Sequence, residues 1–130
     1  MENYKIHCQF SIFSFQFSIF NSQFPMANLQ SGVVHTVFFW LKEKDNKEHQ
    51  EALHAGLKEL SKIDLIKTAY VGRPANTNRE VIDSTYSFSL TFVFDNAADQ
   101  DAYQVHPDHY VFINNCSSLW EKVVVYDAES

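Results

Sequence analysis

From Tyr86 to Phe94 every second residue is large and apolar: Tyr86, Phe88, Leu90, Phe92 and Phe94 are separated by Ser87, Ser89, Thr91 and Val93. A side-chain period of two belongs to a β-strand, whose successive residues point to opposite faces. Burying four side chains of this size is worth ~1.5–3 kcal/mol each as an upper figure. This strand must therefore lie centrally in a sheet, with its aromatic side covered, and the covering layer is the first requirement on the fold.

The flanking segments supply the other elements. Residues 33–41, VVHTVFFWL, are β-branched and aromatic with both alternating faces largely apolar, which predicts a strand buried on both sides. Asp45 and Glu48 have the spacing of a capping box. The stripe of Ala52, Leu53, Gly56, Leu57, Leu60 and Ile63 then predicts a helix over about 46–62. Ile66 to Val71 reads as a second strand, closed by Gly72-Arg73-Pro74 and a polar loop through Arg79. Asn96 followed by Asp99 starts a helix running through Tyr103, Pro107 starts another reaching about Leu119, and Glu121–Asp127 is a last strand. The order βαββαβ, with its second helix broken, predicts an α+β fold of ferredoxin-like type: a four-stranded antiparallel sheet with helices on one face. In the last strand Val123 and Val125 alternate with Val124 and Tyr126, so the face without helices is also apolar. A sheet-to-sheet homodimer, a dimeric α/β barrel, is the expected way to cover it.

Length and charge narrow the classes further. The chain of 130 residues accommodates one domain, and its net charge of −6 offers no basic stripe to a phosphate backbone, so neither nucleic acid nor an anionic membrane is an expected partner. Cys8 and Cys116 form neither a disulfide framework nor a zinc spacing, and the chain reads as cytoplasmic. Residues 1–25 hold six of the twelve phenylalanines, interleaved with Ser, Gln and Asn. They fit neither a secretory signal nor a membrane span. They are expected to be a non-domain extension, disordered or not native to the domain, which then comprises residues 26–130 and starts at Met26.

Chemistry concentrates in Ala102-Tyr103-Gln104-Val105-His106-Pro107-Asp108-His109. Proline is tolerated at the first position of a helix and biases the residue before it away from helical geometry, which puts His106 at the cap and His109 in the first turn. Removing a proton next to a carbonyl needs a base of near-neutral pKa and a donor for the developing oxyanion, roles that suit imidazole and phenol. The positive end of the helix dipole favours a neutral, base-competent ring at His109. His35, between Val33 and Val37 on the first strand, is expected to be a buried imidazole in need of a partner, a backbone carbonyl at the least. His49 and His54 read as solvated surface residues. A metal site at His35, His106 and His109 is disfavoured, because Pro107 interrupts the helix that would aim the rings together. No metal and no cofactor are expected.

The stretches HTVFFWLKE, DAYQVHPDH and SSLWEKVVVYD resemble the stress-responsive dimeric α/β-barrel family, often called Dabb, over residues 33–127. The resemblance implies dimers of ferredoxin-like subunits. One member type, the plant olivetolic acid cyclase, closes a linear polyketide by aldol condensation. Its tyrosine and histidine fall on Tyr103 and His109, implied here as a catalytic pair, and its first-strand histidine falls on His35. A further pocket histidine of that enzyme aligns near Phe88, which can neither give nor take a proton, so the polar pocket is not fully shared. His35, Phe88 and His106 are read as ligand-binding. The expected function is a homodimeric stress-response protein that binds a small apolar or aromatic carbonyl compound between sheet and helices. A cyclase-like enzyme and a non-catalytic scaffold are the alternatives. An RNA-binding module of the same topology is disfavoured by the acidic charge and by Ser84-Thr85-Tyr86-Ser87, where such modules carry a basic residue and glycine.

Overall fold

The first strand defines the two faces of the sheet. β1 (Val33–Leu41) alternates buried and half-buried residues at all nine positions. Val33, His35, Val37, Phe39 and Leu41 turn under the helices, while Val34, Thr36, Phe38 and Trp40 occupy the opposite face. The computed structural model describes Ala27, Leu29 and residues 31–130. The Phe-rich segment 1–25, and the expectation that it is not part of the domain, lie outside the described residues.

β2 (Thr68–Gly72), β3 (Phe88–Phe94) and β4 (Trp120–Glu129) complete a sheet of order β2-β3-β1-β4, antiparallel at every junction. α1 (Lys47–Leu60) connects β1 to β2, and α2 (Ala97–Gln104) and α3 (Pro107–Cys116) connect β3 to β4, the latter through a 3₁₀ turn at Ser117–Leu119. This is the ferredoxin-like α+β arrangement. Phe88, Leu90, Phe92 and Phe94 are each at most 1 % exposed, under Leu53, Leu57 and Leu60 of α1 and Tyr103 and Phe112 of the later helices. At ~1.5–3 kcal/mol for each buried side chain, that one row rivals the ~5–15 kcal/mol by which a whole domain is usually stable.

Some local expectations shift. The cap of α1 is Asn46, not Asp45: its backbone is extended and its side-chain oxygen accepts the His49 N–H at 3.2 Å, leaving Glu48 in the first turn. Tyr86 does not share the face of Phe88. The regular strand begins only at Phe88, and the Tyr86 ring packs at 4.9 Å from Phe38 and 6.4 Å from Trp40, on the face without helices. Ser87 sits at this break, donating its backbone N–H to the Phe39 carbonyl and accepting the Leu41 N–H on its hydroxyl. β2 is also more exposed than its apolar residues suggest, because it is an edge strand. Among the described residues no helix is long and apolar enough to cross a membrane.

α1 and α3 meet at Gly56, where an added β-carbon would lie 2.6 Å from Cys116 Sγ and 3.3 Å from the Phe112 ring. Alanine would gain ~1 kcal/mol of helix propensity there, but overpacking against a buried thiol costs about 1–3 kcal/mol. Gly56→Ala is therefore expected to lower stability in urea unfolding by about 1 kcal/mol. The loss should largely disappear when Cys116→Ala is combined with it. A stabilising effect of Gly56→Ala alone would show that the two helices have room to spare.

Candidate functional site

The helix-facing side of β1 brings an imidazole into an otherwise apolar layer. His35 is 5 % exposed, and register places it opposite Phe92 on β3 and Asp127 on β4. A buried polar ring without a partner would be costly, and the partner here is the Asp127 carboxylate, whose Oδ1 lies 2.6 Å from His35 Nδ1. An ionised carboxylate only accepts, so Nδ1–H is the donor, and in the neutral ring the lone pair is left on Nε2. Gln100 of α2 closes over the same edge, its side-chain nitrogen 3.2 Å from Nδ1.

Tyr103, in the last turn of α2, is 1 % exposed and stands edge-on to His35 at 5.8 Å between ring centroids. Phe92 and Phe94 pack on it from the sheet at 5.7 and 5.2 Å. Burial pushes its phenol well above the ordinary tyrosine value, even further from ionising at neutral pH, so it serves as a hydrogen-bond donor. The broken helix then turns His109 back toward it. His106 is the cap of α3, its ring Nδ1 accepting the Asp108 N–H at 3.0 Å, and Pro107 takes the first helical position. His109 follows on the next two residues, with its ring 4.9 Å from that of Tyr103 at 71°. Its Nδ1 is buried and has no hydrogen-bond partner among the described residues. Burial first, and then the nearby charge of His35, hold its pKa below the ordinary value. The direction matches the helix-dipole expectation, but the causes are tertiary.

These three side chains open on one cavity of about 190 Å³ between sheet and helices, walled by Val37, Leu90, Phe112, Ile113, Trp120 and Val123. A protonated phenol and a neutral imidazole in such surroundings can grip an oxygen acceptor and take up a proton. Of the residues singled out in the sequence, His35, Tyr103 and His109 come together here. His106 serves the helix cap and does not line the cavity. Phe88 lies elsewhere along β3, stacked under His54 at 5.3 Å with the Arg73 guanidinium 5.0 Å from its ring. His54 is thus half-buried rather than a solvated surface residue. Sequence reasoning missed Asp127 and Gln104, which also line the cavity. Asp127 was detectable: it continues the alternation Val123, Val125, Asp127 and so puts a carboxylate on an apolar face. Among the described residues no group of three or more His, Cys, Asp or Glu is placed to hold a metal ion.

The model of the stress responsive A/B barrel domain, Dabb, matches residues 33–130. The chain belongs to the Dabb family. Solved structures similar to this Dabb domain include a Dabb family protein with a ferredoxin-like fold from Mesorhizobium loti. It is 28 % identical with a TM-score of 0.63, over 78 % of this chain and 98 % of that one. A dimeric protein of unknown function from Bacteroides fragilis is 26 % identical, with a TM-score of 0.62 over 79 % of this chain and all 100 % of its own. A dimeric ferredoxin-like protein from Thermobifida fusca, 20 % identical with a TM-score of 0.62, covers 82 % of this chain and 100 % of its own, and supports the fold alone. No curated protein matches.

Since the folded His109 pKa lies below its unfolded value, the folded state binds fewer protons. The neutral ring therefore favours folding above pH 6.5, and that contribution falls as the pH drops from 6.5 through the depressed value. NMR titration is expected to give His109 a midpoint below 6.5, and His35→Gln should move it upward. A midpoint at or above 6.5 in the unsubstituted protein would contradict the burial described here.

Proposed function

We propose that this Dabb domain acts as a cytoplasmic, homodimeric stress-response protein that binds a small aromatic or otherwise apolar carbonyl compound in the cavity beside Tyr103 and His109. The observation that carries the reading is the unpartnered Nδ1 of His109 beside a buried phenol, in a cavity whose walls are mostly apolar. Size limits the ligand. Typical ligand pockets measure roughly 300–1,000 Å³, whereas an apolar cavity of about 150 Å³ already admits benzene. The 190 Å³ here favours a single-ring compound. Charge limits it too: no Lys or Arg lines the cavity, and its one carboxylate is engaged by His35, so a neutral ligand fits better than an anion.

The dimer rests on the face without helices. Phe38 gathers Tyr86 and Tyr126 around it at 4.9 and 6.3 Å, while Tyr70 and Tyr126 are 67 % and 64 % exposed. Similar structures from B. fragilis and T. fusca are described as dimeric. Light scattering after size exclusion is expected to give a dimer at micromolar concentration and a monomer for Phe38→Glu. A monomeric unsubstituted chain would overturn the assignment.

A catalytic reading is favoured by the same Tyr103–His109 contact, which fits proton removal beside a carbonyl and the cyclase type that the sequence resembles. Single-ring ketones and aldehydes should bind in ligand-observed NMR. If the site is catalytic, a bound ketone should exchange its α-protons in D₂O, with His109→Ala slowing the exchange by ~10²–10⁴ and Tyr103→Phe removing the oxyanion donor. Binding without exchange would leave a binding protein, and no binding at all would leave the scaffold.

A further inference from the structure

A separate groove lies at the start of β3, and its lining shares no residue with the cavity at Tyr103. The groove, about 520 Å³, is lined by Lys44, Asp45 and Gln50 at the start of α1, by Arg73 and Pro74 after β2, and by the run Ser84–Phe88. Its volume falls within the roughly 300–1,000 Å³ of ordinary ligand sites. We propose that this groove binds the oxyanion of a small organic molecule, a carboxylate or a phosphate, with the Arg73 guanidinium as its principal contact.

Three observations support this. Among the described residues, Lys62 and Lys67 pair with Glu59 and Asp95, but no carboxylate forms an ion pair with Arg73 or Lys44. Both cations line the same groove, in a chain whose net charge is −6. Next, the guanidinium of the exposed Arg73 has a platform. Phe88 lies 5.0 Å beneath it, which leaves the edge of its planar fork free to meet two oxygens. Finally, Arg73 acts on a neighbouring ring: His54, stacked on the same Phe88, has its pKa lowered first by burial and then by Lys58 and Arg73. Gln50 and the Ser84 hydroxyl add polar groups to the wall, whereas the Thr85 hydroxyl is engaged by Asp83 and Trp40. Asp45 also lines the groove, and its charge weighs against an extended polyanion.

The test is NMR titration of the full chain at constant ionic strength with inorganic phosphate in one arm and benzoate in the other, reading the Arg73 side-chain N–H and the His54 ring. A saturable shift of Arg73 is expected with a half-point at or below about 10 mM, the strength of one bidentate charged contact. His54 should titrate higher in the presence of the bound anion, and the His109 signals should stay in place. The arm that saturates at the lower concentration identifies the oxyanion. Arg73→Gln should weaken binding at least tenfold, and Arg73→Lys, which keeps the charge but loses the fork, by an intermediate factor. If Arg73→Gln does not fold, Arg73→Lys decides. Shifts that do not saturate, that chloride reproduces, or that persist unchanged in the Arg73 variants would overturn the proposal.

Discussion

The fold depends on burying one row of side chains, Phe88, Leu90, Phe92 and Phe94, under helices that arrive from both directions along the chain. The row is continuous on β3, and β1 adds Val33, Val37, Phe39 and Leu41 beside it in antiparallel register. Once these two strands pair, the other elements have limited freedom. α1 must present Leu53, Leu57 and Leu60 to the row, and the segment 97–116 must cover what remains. That segment cannot be one straight helix, because Pro107 interrupts it, and the interruption brings Tyr103 and His109 face to edge.

His35 is the polar residue in this layer, and its position accounts for much of the electrostatics nearby. A central strand offers the ring no water, so it takes a carboxylate from the neighbouring strand, and the register of β1 with β4 delivers Asp127 at that point. The pair sits at the edge of the cavity. Across the cavity, burial and then His35 disfavour protonation of His109, while burial moves the Tyr103 phenol further from ionisation. The same lack of solvent therefore favours the uncharged form of both rings, an imidazole that accepts and a phenol that donates a hydrogen bond.

The sheet's other face carries an apolar surface that the monomer leaves half open. Phe38, Trp40 and Tyr86 form an aromatic cluster there, with Trp40 tied to Thr85 by a 2.9 Å hydrogen bond and Lys122 set 4.5 Å over the indole. Tyr86 belongs to this cluster because the chain bends before β3 begins, so one aromatic of the alternating series serves the second face and not the first.

Periodicity alone determined most of the architecture. The alternation in residues 86–94 and 33–41, the leucine stripe of α1 and the proline break at 107 are local patterns, and the helical and strand periods translate them directly into elements and buried faces. The cap at His106 was legible for the same reason, since proline acts on its immediate neighbour. What periodicity could not supply is pairing across distance. That His35 would meet a carboxylate 92 residues away, that Phe88 would be roofed by His54 and Arg73, and that Tyr86 would leave its own series were decided by strand register and by a backbone bend. The depressed pKa of His109 is of this kind as well. Its sign could be guessed from the helix terminus, but its causes, burial and His35, exist only once the sheet and the broken helix have closed over the cavity.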